Sequence, residues 1–407
     1  IEVQRHGDPS RFTASVIAIS HDADLALLQV EEDTFFNNTT PLKLGSLPDL
    51  LDEVFVYGFP EGGEGLSVTK GIISRIEITP YVHSFLSLLG LQIDAAINSG
   101  NSGGPVIMNG KIVGVAMQTK KKAENIGYII PVPIIIHFLT DIKDGHYDGF
   151  PDYGVVFQSL RNPAFKKLLN LPDSATGVYV SFVIPGTSSD GLLFPGDVIL
   201  SVDEHSVASD GTVLVRPGLR VQFDYYIVNH QMGESAIVTV WRQGRRQKIS
   251  IPLTMRLGGS QLVKFPQYDC PPEYYILSGI ILTPLSYYYL LTWDDEIKEA
   301  PKNLLEYFYK FREKAGEQVV IISGLLPSEM TAGYENAVDE RIISINGQSF
   351  TNFKSFTEII DKALTKDKLI TLKMENHSVI VVSPQEHRKN EKKLLELYGI
   401  DKPCRVK

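Results

Sequence analysis

The chain has only two cysteines among its 407 residues, Cys270 and Cys404. Two thiols so far apart in sequence supply no disulfide framework, so packed cores must hold the fold. A basic excess is also lacking: 39 Lys and Arg stand against 48 Asp and Glu, a net charge of −9. That balance argues against nucleic acid or an anionic membrane surface as partner. Long apolar runs are scarce. Tyr274 to Trp293 is uncharged over a length that could cross a bilayer. Its Pro284, its serines and threonines and its Tyr287-Tyr288-Tyr289 cluster read better as a strand followed by a loop, with no stable membrane span. No secretory or transit segment opens the chain. Ile1 to Arg5 reads as a strand already under way, and the expectation is an N-terminally incomplete chain.

What is present is 43% apolar and 21% charged, an ordinary globular composition, with room for roughly two to four domains. The most informative stretch is Asp94-Ala95-Ala96-Ile97-Asn98-Ser99-Gly100-Asn101-Ser102-Gly103-Gly104-Pro105. A serine among three glycines sits on backbone that must turn tightly, and the glycines free local N–H groups to point at one spot, as an oxyanion hole requires. The letters Gly100-x-Ser102-x-Gly104 also satisfy the nucleophile elbow of α/β-hydrolases, which needs a helix directly after the serine. Gly103-Gly104-Pro105 cannot open a good helix. Val106 to Met108, an Asn109-Gly110 turn and Lys111 to Ala116 read instead as a β-hairpin. A serine on a loop before a hairpin suits a double β-barrel.

The second landmark is His21-Asp22-Ala23-Asp24-Leu25-Ala26-Leu27-Leu28. A carboxylate just before an apolar run can sit at the edge of a core, orient an imidazole and stabilise its charged form. Asp22 and Asp24 both stand before this run.

The serine loop and the Asp24-Leu25-Ala26-Leu27 segment together resemble HtrA/Deg serine proteases, closest to plant-type Deg proteases with two PDZ domains. The fold this implies is mainly β: a chymotrypsin-like double β-barrel protease domain, N-terminally incomplete, followed by two PDZ domains. By resemblance Ser102 is the nucleophile and Asp24 the triad acid, with Asp22 expected to be solvated. Gly100, Asn101 and Ser102 form the oxyanion hole, chiefly through the N–H groups of Gly100 and Ser102. Ile97, Met117 and Ile126 line the specificity pocket, which then prefers medium-sized aliphatic residues with weak discrimination. The extended substrate is expected along the Val113–Met117 edge. The triad histidine of this fold precedes the aspartate in sequence. His6 and His21 lack its context and read as surface residues, and His83 lies between acid and serine, so the histidine is expected upstream of Ile1. Residues 76–91 correspond by resemblance to a regulatory loop that contacts a PDZ domain; read from composition alone they are a surface connection. Lys120-Lys121-Lys122 marks a solvated loop, and Val132 to Ile142 reads as a closing helix.

Beyond a turn-rich linker, Tyr153-Gly154-Val155 and Pro195-Gly196-Asp197-Val198-Ile199 resemble a PDZ domain. In such a domain, backbone N–H groups near Gly154 would converge on a peptide carboxylate, Val155 would floor the side-chain pocket, and the next strand edge would accept an added strand. The layout recurs more loosely from Tyr275, with a helical insertion around Pro301 to Ala315 and a helix from Phe356 to Ala363. There the Tyr cluster suits assembly better than peptide capture. The expected domains are residues 1–145 (protease), 152–255 (first PDZ), 262–385 (second PDZ-like) and 386–407, a charged tail that is helical up to Gly399.

The resemblance implies an ATP-independent endopeptidase for unfolded or damaged proteins, without cofactor or metal. It implies a trimer or multiple of trimers, in an organelle (chloroplast, mitochondrion or nucleus) or a bacterial periplasm. The rival function is a catalytically inactive PDZ scaffold or holdase.

Overall fold

The computed structural model describes residues 1–60, 65–119, 127–294 and 297–406. They fall into two compact units, residues 1–183 with 187–257, and residues 184–186 with 258–407.

The first unit opens with an antiparallel sheet of β1 (Glu2–Gln4), β2 (Arg11–Ser20) and β3 (Leu25–Val30). Six further strands follow: β4 (Glu53–Gly58), β5 (Ser67–Pro80), β6 (Ser87–Ile93), β7 (Pro105–Met108), β8 (Lys111–Thr119) and β9 (Gly127–Pro131). They close into a barrel in the order β4-β5-β6-β9-β8-β7. Alternation drives the closure: Val54 and Val56 point inward from β4 while Phe55 between them is exposed. The β7–β8 hairpin turns on Asn109 and Gly110 at φ 50° and 71°, the left-handed pair that a two-residue hairpin loop demands. Helix α1 (Val132–Asp141) follows the barrel and buries Ile134, Ile135 and Phe138.

The stretch 76–91 is not the loop the sequence suggested. β5 runs on to Pro80 and pairs with β6 from Ile73↔Ile93 to Pro80↔Ser87, and only the turn around Tyr81–Leu86 is irregular. Its mixed composition has a simple cause. Leu88, Leu89 and Leu91 are all buried because one face of the hairpin meets the barrel core and the other meets the next module, which erases the period-two signal.

That module comprises β10 (Pro151–Asp152), β11 (Val155–Ser159), α2 (Pro163–Leu168), β12 (Val178–Val183), β13 (Val198–Val202), β14 (His205–Ser206), β15 (Thr212–Arg216), β16 (Leu219–Gln222), α3 (Asp224–Val228), β17 (Ser235–Arg242), β18 (Arg245–Pro252) and β19 (Met255–Arg256). Its main sheet has the order β11-β12-β13-β17-β18, with β14 on β13. β16 packs on β5, and α3 on β6. β10 pairs with β19, so the chain enters and leaves the module side by side. A single core joins module and barrel. At their junction His137 stacks on Phe150 at 4.1 Å, and its Nε2 donates to the His230 carbonyl at 2.8 Å.

In the second unit, β20 (Tyr274–Leu277), β21 (Ile280–Pro284), α4 (Tyr287–Leu290), α5 (Lys302–Phe308) and β22 (Val320–Leu325) precede β23 (Ile342–Ile345), α6 (Phe353–Leu364), β24 (Ile370–Met374), β25 (Val379–Val382), α7 (Pro384–Leu397) and β26 (Cys404–Arg405). The sheets run β22-β21-β20-β26 and β23-β24-β25. A capping box between Asn352 and Ser355 starts α6, which buries Phe353, Phe356 and Ile360 against the strands. The segment from Glu386, expected as a tail, folds back onto this unit. Leu394 and Leu395 of α7 pack with Ile276 and Leu326, and β26 pairs with β20. Among the described residues no helix is long and apolar enough to cross a membrane.

Candidate active site

The serine loop is clamped to the barrel at both ends. The Asp94 carboxylate accepts from the Ile72 N–H at 2.6 Å, and a Cβ on Gly71 would lie 2.4 Å from Ala95 N. At the far end Gly103 N–H donates to the Ala116 carbonyl at 2.8 Å, and Ala116 N–H to that of Gly104 at 2.9 Å. Gly100 and Gly103 take φ 95° and 85°, which side-chain-bearing residues rarely adopt. Asn101 is buried between them, wedged over Gly58, where a Cβ would lie 2.5 Å from its Oδ1.

The loop thus turns Ser102 outward. Its side chain is exposed, and its hydroxyl donates to the Met117 carbonyl at 3.0 Å. Asn101 N–H is bonded to the Asn98 carbonyl and Gly104 N–H to that of Asn101, both at 3.0 Å. The N–H groups of Gly100 and Ser102 have no partner among the described residues. Of the three residues expected to form the oxyanion hole, Asn101 therefore has its N–H already taken.

Asp24 lies in the turn between β2 and β3, exposed, with φ 55°. Its negative charge, after burial, helps to hold the Tyr81 phenol far above its usual range. The expectation that Asp22 is solvated is overturned: it is 8% exposed and ion-paired with Arg256 at 2.9 Å. His21 also departs from its surface reading. It is half-buried, and its Nδ1 lies 3.0 Å from Nε2 of His83. His6 is exposed beside Phe59. Among the described residues no histidine bonds to Ser102 or Asp24.

Ile97 and Met117 are both buried at the foot of the loop. Ile97 covers Gly127, where a Cβ would lie 2.6 Å from its Cδ1. Ile126 and Lys120 to Lys122 lie outside the described residues. The Val113–Met117 edge expected to receive substrate is largely occupied. Gly114 and Val115 pair with β7 on one side and with Ile130 and Pro131 on the other.

In the first PDZ module, Tyr153 is buried and donates to Asp224 at 3.2 Å. Burial foremost raises the Asp224 carboxyl to about 6. Gly154 takes φ 72°, and a Cβ there would lie 2.2 Å from Thr187 Oγ1. Its N–H is not free to meet a ligand, because it donates to the Asp152 carboxylate at 2.9 Å. Val155 begins β11, whose only sheet neighbour among the described strands is β12. One edge of β11 therefore has no strand partner among the described residues. In the second unit the corresponding β21 lies between β20 and β22, so no strand can be added there. The Tyr cluster proves largely internal: Tyr287 is buried and Tyr289 donates to Asp339 at 2.7 Å, leaving Tyr288 exposed.

A glycine-flanked exposed serine on a closed six-stranded barrel, followed by PDZ architecture, defines a chymotrypsin-fold serine peptidase class. A trypsin-like peptidase domain model matches residues 2–115, and a PDZ domain model matches residues 263–405. Protease Do-like 2, chloroplastic, of Arabidopsis thaliana is 38% identical over 98% of this chain and 65% of its own length. Protease Do-like 4, mitochondrial, of the same plant is 35% identical over 98% of this chain and 74% of its own. The chain belongs to the Do-like (Deg/HtrA) serine protease family, and spans slightly under two thirds of the first of these relatives. Among solved structures, the HtrA-type protease AlgW with decapeptide is 27% identical, with TM-score 0.45, over 61% of this chain and 73% of that one.

Asp152, Asp224 and Arg256 escaped the sequence reading. Asp224 opens a short helix, an ordinary place for an acid, and Arg256 meets a partner 234 positions away. No local pattern marks either.

Proposed function

We propose that this chain is the working part of an ATP-independent serine endopeptidase that degrades unfolded or damaged proteins. One observation carries the reading: on the serine loop the N–H groups of Asn101, Gly103 and Gly104 are engaged, while those of Gly100 and Ser102 have no partner among the described residues, on a loop that leaves Ser102 exposed. Two such donors two residues apart suit the oxygen of a tetrahedral intermediate. Ser102 attacks the scissile carbonyl. Asp24 orients the general base, a histidine. Ile97 and Met117 select aliphatic side chains, with Ile126 beside them. The edge of β11 without a strand partner takes an extended peptide segment next to the Tyr153-Gly154-Val155 loop. Family membership favours a homotrimer or multiple of trimers. The chloroplastic and mitochondrial names of its relatives favour an organelle.

The test is incubation of the full-length protein and its Ser102→Ala variant with unfolded casein without ATP. Cleavage by the parent alone is expected. Equal cleavage by both removes Ser102 from the mechanism, and no cleavage by either overturns the proposal.

A further inference from the structure

Asp22, two residues before Asp24, is the meeting point of three segments distant in sequence. Its Oδ2 accepts from Arg256 Nε at 3.0 Å, from Arg256 Nη2 at 2.9 Å and from the Tyr147 hydroxyl at 3.1 Å. Its carbonyl accepts from the Ser84 hydroxyl at 2.9 Å. Ala23, fully buried, donates its N–H to the Ser20 hydroxyl at 3.0 Å, and Ser20 in turn donates to Tyr147 at 2.5 Å. The left-handed backbone of Asp24 thus follows directly on a locked, buried turn.

Arg256 sits at the other end of this link, on β19. There Pro151 pairs with Arg256 and Asp152 with Met255, and Asp152 also receives the Gly154 N–H of the carboxylate loop. The fit admits no slack. A Cβ on Gly149 would lie 2.6 Å from Arg256 Nε and 2.7 Å from Asp22 Oδ2. Bonded or paired contacts therefore run from the PDZ carboxylate loop through the β10–β19 clamp and Arg256 to the turn bearing Asp24. Removing Arg256 leaves a buried carboxylate without its countercharge. In such a variant Asp22 is expected to turn outward to water and to displace Asp24, two residues on.

We propose that Arg256 is a positioning residue for the triad acid, holding Asp24 through Asp22. The inference rests on the reading of Asp24 as triad acid.

The test measures kcat and KM on a fluorogenic peptide with an aliphatic cleavage residue, across pH, alongside melting temperature. It uses the full-length parent and the variants Arg256→Ala, Arg256→Lys, Tyr147→Phe and Asp24→Asn. Arg256→Ala is expected to lower kcat by about tenfold to a hundredfold, the penalty of an ångström-scale misplacement, with KM nearly unchanged. The acid limb of its kcat profile moves to lower pH, because a displaced carboxylate supports the imidazolium less. Lysine restores part of the rate. Should Arg256→Ala fail to fold, Tyr147→Phe decides, since it keeps the ring and loses one bond to Asp22; a smaller fall in kcat with the same pH shift is expected. A folded Arg256→Ala, or a Tyr147→Phe, with the parent's kcat and pH profile overturns the inference alone. An inert parent, or an Asp24→Asn variant as fast as the parent, overturns the reading of Asp24 and this inference with it.

Discussion

Gly104 lies so close to Tyr57 that a Cβ on it would sit 2.0 Å from the Tyr57 carbonyl oxygen. The serine loop therefore rests directly on the backbone of β4, and the hydrogen bonds that turn Ser102 outward depend on that approach. Gly104→Ala must push the loop off the barrel. We expect a loss of about 3 kcal/mol or more, the range of severe core overpacking, and loss of casein cleavage. Urea unfolding and a cleavage assay on the same preparation check both.

Asp224 makes the first unit sensitive to acid in an unusual direction. Its carboxyl is raised to about 6 in the folded state, by burial above all, against about 4 in an unfolded chain. Between those values the native state binds the extra proton. The contribution of Asp224 to stability therefore falls as pH rises from about 4 to about 6 and is level above that. The side chain keeps part of its surface exposed, so the fall should be about 1–2 kcal/mol. Urea unfolding of the parent and Asp224→Asn at several pH values should show this slope in the difference between the two stabilities.

Arg216 ties the β15–β16 hairpin to the segment before β4. It donates to the carbonyls of Leu47, at 2.7 Å, and Pro48, and lies 2.8 Å from the Asp49 carboxylate. Asp49 is largely exposed, so the carbonyl bonds dominate and the ion pair adds little. Arg216→Ala should cost about 1–2 kcal/mol and speed amide exchange across residues 212–222. Arg216→Lys should recover little, because it lacks the fork that reaches two carbonyls.

Helix α7 belongs to the core of the second unit. Leu394 packs with Ile276, Leu326 and Leu395 and faces Gly279, where a Cβ would lie 3.1 Å from its Cδ2. Leu394→Ala should lower the stability of that unit by about 2–4 kcal/mol and leave the transition of the first unit in place. Differential scanning calorimetry separates the two.

By itself the sequence determined what depends on neighbours along the chain. The glycines around Ser102, the Asn109-Gly110 turn, the alternation in β4 and the Gly-Asp run before β13 act over a few residues, so their structure is legible there. The two acids of the His21–Asp24 segment were not. Both precede the same apolar run, and only Arg256 and Tyr147 decide that Asp22 is the buried one. The far end of β5 and the whole of β6 hid for a related reason: a strand covered on both faces loses its alternation, and the second cover comes from the next module. The capture of β20 by β26 and the closing of the Val113–Met117 edge are likewise tertiary facts. Each depends on backbone groups finding partners across a sheet or a turn, and backbone groups are the same in every residue, so sequence does not mark them.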